Sequence, residues 1–164
     1  MPETVPCLWF DGQAEEAAEF YCSIFPDSRI DRVDRSPADN PSNKEGDVLT
    51  VQFTLAGQPY TGLNGGPEFQ FSEAVSFEIE CEDQAEVDRY WELLTADGGE
   101  PSQCGWLKDR FGLSWQVVPR RLNEMYASPD RAGAKRAFEA MLTMQKLDVA
   151  KLESAFDGDF VGSR

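Results

Sequence analysis

Glu78, Cys104 and the run Lys108-Asp109-Arg110 are the residues of this chain whose types and placing could support chemistry. Glu78 stands in the alternating segment Val75-Ser76-Phe77-Glu78-Ile79, and a carboxylate held in a dry hollow flanked by aromatics can serve as a general base. The competing reading of Glu78 is an exposed strand residue, or an ion-pair partner for Lys108 or Arg110. Cys104 precedes Lys108 closely, and a thiol beside a cation can be activated; an isolated cysteine serves equally as packing. Asp109 and Arg110 either pin the turn before Gly112 or line a pocket. The chain contains no histidine, so neither a Cys–His pair nor an imidazole metal ligand is available.

A strand and helix written twice must position these groups. Asp11-Gly12-Gln13-Ala14-Glu15 returns as Glu82-Asp83-Gln84-Ala85-Glu86, an offset of 71 residues. An alternating strand precedes each copy, and a helix ending in aromatics follows, with Phe20-Tyr21 in one and Tyr90-Trp91 in the other. That spacing is too long for a solenoid repeat and reads as a duplicated half-domain. In the first copy, periodicity predicts a strand over 5–10, a helix over 13–24 with an N-cap from Asp11-Gly12, and an edge strand over 29–33. A polar loop over 36–46 and strands over 48–55 and 58–63, joined at Ala56-Gly57, complete it. Asn64-Gly65-Gly66-Pro67 breaks the pattern, and Phe69 and Phe71 follow at period two, as a hydrophobic flap or a lid. The second copy has a strand over 74–80, a helix carrying Val87, Tyr90, Trp91 and Leu94, and closing strands over 103–111 and 113–118. Beyond Pro119 the chain turns helical, over 130–145 and 149–155, with a frayed end over 157–164. These tail helices have no counterpart in the first copy and are suited to covering a sheet edge or a subunit interface.

Alternation then assigns faces. With Val75, Phe77 and Ile79 under the helix, Ser76 and Glu78 look into the concavity, joined by Ser114 and Gln116, while Trp115 and Val117 go to the core. The same reading turns Leu8 and Phe10 toward the concavity and places Trp106 on one face with Cys104. Asn64 and Asp109 complete the ligand-binding set. A hollow so lined is mostly apolar with a few polar groups, as small-molecule sites are.

The chain's 164 residues suffice for one domain with a core, and 41% hydrophobic and 12% aromatic content is globular. Thirty acidic residues against 15 basic ones leave a net charge of −15, which repels phosphate backbones and anionic lipid and argues against nucleic-acid or membrane partners. No apolar leader or membrane-length apolar run occurs, so a cytoplasmic protein is expected. Cys7, Cys22 and Cys81 fit small buried hydrophobes in a reducing compartment.

Leu63-Asn64-Gly65-Gly66-Pro67, Glu73-Ala74-Val75-Ser76-Phe77 and the run from Cys104-Gly105-Trp106-Leu107-Lys108-Asp109-Arg110-Phe111 through Gly112-Leu113-Ser114-Trp115-Gln116-Val117-Val118-Pro119 closely resemble the PhnB-like family. That family, also labelled the 3-demethylubiquinone-9 3-methyltransferase domain, belongs to the glyoxalase/bleomycin-resistance/dioxygenase (vicinal oxygen chelate) superfamily. The resemblance extends over nearly the whole chain, tail included. It implies an α+β fold in which two βαβββ modules form a glyoxalase-like curled mixed sheet around a shared cavity, usually in a homodimer. A single domain then spans 1–164, with module one at 4–66, module two at 72–119 and a helical tail at 120–156. In the superfamily a divalent metal commonly sits between His and Glu ligands; carried onto this chain, those positions fall near Pro6, near Ala74 and on Gln116, and no acidic residue marks the strand over 58–63. No metal site and no cofactor are therefore expected. The methyltransferase label asks for a glycine-rich turn between a parallel strand and a helix, whereas Gly62-Leu63-Asn64-Gly65-Gly66-Pro67 follows a hairpin strand. Two functions remain: a non-catalytic small-molecule-binding protein, or an enzyme acting by proton transfer on a small aromatic or quinone-like metabolite.

Overall fold

The structure, a computed structural model, describes residues 1–159, which divide between Phe71 and Ser72 into two units. The first contains β1 (Cys7–Phe10), α1 (Ala14–Ile24), β2 (Arg29–Arg35), β3 (Val48–Leu55) and β4 (Gln58–Asn64), with strands in the order β1-β4-β3-β2 and β1 parallel to β4. Ala14, Ala17, Ala18 and Tyr21 form the fully buried stripe of α1. Such small residues let a helix settle close onto a sheet, and a Cβ on Gly62 would come within 3.2 Å of that of Ala14. Ala56 and Gly57, at φ 46° and 81°, make the tight turn between β3 and β4 that the sequence predicts.

The expected cap at Asp11-Gly12 does not form. Gln13 occupies the N-cap position without a side-chain bond, and the amide of Asn64 takes over: its Oδ1 accepts from the Ala14 N–H at 2.9 Å while its Nδ2 donates to the Val48 carbonyl at 2.9 Å. The end of β4 thus closes the start of α1, satisfying a donor that the helix itself leaves orphaned.

The second unit repeats the topology. It contains β5 (Ser76–Cys81), α2 (Gln84–Thr95), β6 (Glu100–Pro101), β7 (Trp106–Lys108) and β8 (Ser114–Pro119), in the order β5-β8-β7-β6 with β5 parallel to β8. Here the helix caps itself: Asp83 accepts from the Glu86 N–H at 3.0 Å, and Glu86 accepts from the Glu82 N–H at 2.8 Å. Val87, Tyr90 and Leu94 are buried, as are Ile79, Leu107, Trp115 and Val117 of the sheet. The closing strand expected over 103–111 is shorter, and a two-residue strand, β6, pairs with it. Cys104 and Gly105, at φ 60° and 84°, leave extended geometry, and the Asp109 turn ends the strand on its other side.

After Pro119 come α3 (Arg120–Ala127), α4 (Arg131–Met141) and α5 (Val149–Asp157). α3 was not expected from the sequence, and α4 stops at Met141 rather than 145. Leu122, Met125, Ala137, Met141, Leu147 and Leu152 pack with Val118 of β8 into a core of their own. The tail is also bonded to the sheet, because Met144 and Gln145 carbonyls accept from the Cys104 and Gly105 N–H groups, both at 2.8 Å. Gln84 of α2 donates to the Leu147 carbonyl at 3.0 Å and accepts from the Val149 N–H at 2.7 Å. Among the described residues no helix is long and apolar enough to cross a membrane. The frayed end expected over 157–164 lies mostly outside the described residues.

Candidate functional site

Side chains in register on neighbouring strands project to the same side of a sheet. On the side of the second sheet turned away from α2, this rule builds two rows. Ser76 on β5 pairs with Ser114 on β8, which pairs with Lys108 on β7; one step along, Glu78 pairs with Gln116, which pairs with Trp106. Gln116 Nε2 donates to Ser76 Oγ at 2.9 Å and ties the rows together. Ser76, Lys108, Trp106 and Gln116 are half-buried and Glu78 is exposed. Ser114 is 1% exposed, and its Oγ finds no hydrogen-bond partner among the described residues. Buried hydroxyls are nearly always paired, so an orphan on a sheet face calls for an explanation.

Lys108 carries an ion pair with Glu73, just upstream of β5. The direct hydrogen bond between them holds the Glu73 carboxyl below its ordinary range and raises the Lys108 ammonium. Glu73 has no local pattern in the sequence that marks it as a partner of Lys108, since the pairing joins residues 35 positions apart.

Several expected site residues lie elsewhere. Leu8 and Phe10 are buried at 6% and 3% in the core of the first unit, and Cys7 and Trp9 take the face opposite α1. The phase of the first strand was therefore misassigned. The 71-residue offset contained the correct answer, since it maps Leu8 onto Ile79 and Phe10 onto Cys81, both buried under α2. The Asn64 amide caps α1 and bonds the Val48 carbonyl, a structural role that the sequence does not suggest. Asp109, 2% exposed, accepts from the Phe111 and Leu113 N–H groups at 2.8 and 3.1 Å and from the Trp115 indole at 2.9 Å, so it holds a turn.

Cys104 packs against the tail core with Tyr126, and Lys108 is engaged by Glu73, so the arrangement for an activated thiol is not assembled. Glu78 keeps its place beside Gln116, but its exposure removes the dry surroundings that the general-base reading required. Arg110 pairs with Asp97 at 3.0 Å. Phe69 and Phe71 lie edge-on against Trp9 and Phe10, at ring separations of 4.9 and 5.3 Å, within the first unit.

The positions to which a superfamily metal would be carried do not fit a divalent ion. Pro6 and Ala74 have no side-chain donor atom, which leaves the neutral amide oxygen of Gln116 as the single side-chain donor of the three, too weak a set for a divalent ion. The glycine run fits no nucleotide loop either. A Cβ on Gly65 would lie 2.3 Å from the Trp9 ring, and the Gly66 carbonyl accepts from the Trp9 indole at 2.8 Å; these glycines seat a tryptophan.

Two successive βαβββ units with one strand order, each with its helix on one face of a mixed sheet, define a glyoxalase-like α+β fold. The chain belongs to the 3-demethylubiquinone-9 3-methyltransferase family, whose profile matches residues 2–118. It is similar to the PhnB protein of Bacillus cereus, with 32% identity and a TM-score of 0.64 over 72% of this chain and 99% of that one. A Pseudomonas aeruginosa protein shares the fold at 19% identity and a TM-score of 0.60, over 73% of this chain and 98% of its own. So does the Listeria monocytogenes fosfomycin resistance protein FosX, in a structure with Mn(II) and sulfate, at 15% identity and a TM-score of 0.51, over 75% and 96%. None of the curated proteins matches the chain. The family match ends at 118, so it does not extend over the helical tail as the sequence reading has it.

Proposed function

We propose that this protein binds a small, planar metabolite on the face of the second sheet opposite α2, and that it does so without a bound metal. The observation that carries the reading is Gln116. At a position to which the resemblance assigns a metal-binding glutamate, the chain has an amide that hydrogen-bonds Ser76, in register with the half-buried ring of Trp106. A neutral donor and acceptor beside an aromatic face suits recognition of a flat polar molecule better than charge transfer to an ion. Methyl transfer, which the family's name mentions, finds no support in the glycines that seat Trp9.

The test is a thermal-shift screen of aromatic and quinone-like metabolites on the purified chain, with each hit recovered and weighed by mass spectrometry. Recovery unchanged, together with loss of the shift in Gln116→Ala, is the expected result; steady conversion of a hit would overturn the binding reading. The pairing of Glu78 with Gln116 favours one second reading, proton transfer from a bound ligand by that carboxylate. It predicts a rate with some hit that falls at least tenfold in Glu78→Gln, and an unchanged rate dismisses it. The assembly is proposed to be a homodimer, to be checked by sedimentation equilibrium.

A further inference from the structure

The row Ser76–Ser114–Lys108 reaches past the Gln116–Ser76 contact just proposed and contains, among the described residues, a buried hydroxyl without a partner and the pair Lys108–Glu73. We infer that this row is a subsite for the carboxylate of the ligand, held closed in the free protein by the chain's own Glu73. This rests on the second sheet's outer face being the binding surface.

Three features support it. Ser114 Oγ is buried among strand partners but unpaired, and a serine hydroxyl can donate to an anionic oxygen. Lys108 stands in register with Ser114, so its ammonium and that hydroxyl share one side of the sheet. Glu73 already presents a carboxylate to Lys108, which makes it an internal stand-in for the head group. Glu73 is well exposed, with 61% of its side chain open, and Lys108 retains 38%, so the pair is replaceable at small cost: ion pairs on such surfaces contribute little. An incoming carboxylate exchanges one charge partner of Lys108 for another and gains the Ser114 hydroxyl, which Glu73 does not use. Trp106, one step along β7 from that row, offers a ring face to the body of the molecule. The ligand class is thus an aromatic or planar monocarboxylate. A single ammonium in a chain of net charge −15 suits one negative charge better than two.

The test uses sodium benzoate and its neutral isostere benzamide as probes, titrated calorimetrically into the full chain and four variants. Benzoate is expected to bind more tightly than benzamide. Glu73→Gln, which frees Lys108, is expected to tighten benzoate about threefold to tenfold and leave benzamide unchanged. Lys108→Met is expected to abolish the preference. Ser114→Ala is expected to weaken benzoate about fivefold or more while raising the melting temperature of the free protein, because it removes a buried unpaired hydroxyl; a serine that merely packs would alter melting and leave affinity untouched. Equal affinities for the two probes, in wild type and in Glu73→Gln alike, overturn the carboxylate subsite. If benzamide still binds and Gln116→Ala removes it, only this inference fails; if neither probe binds either protein, the binding face fails with it.

Discussion

Asn64 and Asp109 show how a polar side chain can look like a ligand contact and be a scaffold part. Each is buried, and each bonds groups far from solvent: two backbone groups for Asn64, and two backbone N–H groups plus the Trp115 indole for Asp109. Removing a buried partner exposes the full desolvation cost of the groups left behind. Asn64→Ala is therefore expected to lower stability by about 2 kcal/mol, and Asp109→Ala by about 3 kcal/mol, in urea unfolding, since the latter removes three hydrogen bonds rather than two. Neither variant should change the affinity of a ligand seated on Gln116 and Ser76. Cys81 makes a residue-level prediction about pH. Burial first, and then the carboxylates of Glu86, Asp83 and Glu80, raise its thiol from 9.0 to about 12. Between those values the unfolded chain ionises this thiol and the folded one does not, so Cys81 contributes a loss of stability as pH rises through that window and no pH dependence below it. Urea midpoints of wild type and Cys81→Ala from pH 8 to pH 11 check this: the wild type should decline more steeply, and parallel curves would exclude the effect.

The duplicated βαβ pattern, the tight Ala56-Gly57 turn and the rows containing Ser76, Ser114, Gln116 and Trp106 were legible in the sequence, because alternation and glycine placement act locally. Two elements were not. β6 is two residues held by pairing to β7, too short to show a period, and only its role as the counterpart of β2 reveals it. α3 buries Leu122 and Met125 at helical spacing, but eight otherwise mostly polar residues are too few for that period to stand out. Its helical state comes from packing on Val118 and on α4 and α5, which is tertiary information. The tail lies beyond the family match, yet its carbonyls satisfy the Cys104 and Gly105 amides and its Leu147 sits against Gly105. Cutting the chain after Pro119 is accordingly expected to expose Val118 and leave those amides unpaired, giving an aggregating product with lost near-UV circular dichroism. Leu147→Ala, a milder version, should cost about 2–4 kcal/mol and remain soluble. A truncated chain that melts like the full one would show the tail to be dispensable.

For the molecule as a whole, duplication accounts for the fold, and divergence between the copies accounts for the site. Two sheets of identical strand order carry different outer faces: Cys7 and Trp9 on β1 in the first, Ser76 and Glu78 on β5 in the second. The reading of the first face failed because the alternating pattern Cys7-Leu8-Trp9-Phe10 is apolar on both sides, which leaves periodicity no contrast to use. Histidine-free composition and the Gln116–Ser76 bond support a surface that recognises a ligand by hydrogen bonds and a ring face, with positive charge supplied by Lys108. That claim meets its most direct test in amide and indole chemical shifts of chelator-treated, isotope-labelled protein as a thermal-shift hit is added. Shifts that cluster on Ser76, Trp106, Lys108, Ser114 and Gln116 with no metal present are the predicted result. Shifts that arise only after a divalent metal is restored, or that fall outside the second sheet, would contradict it.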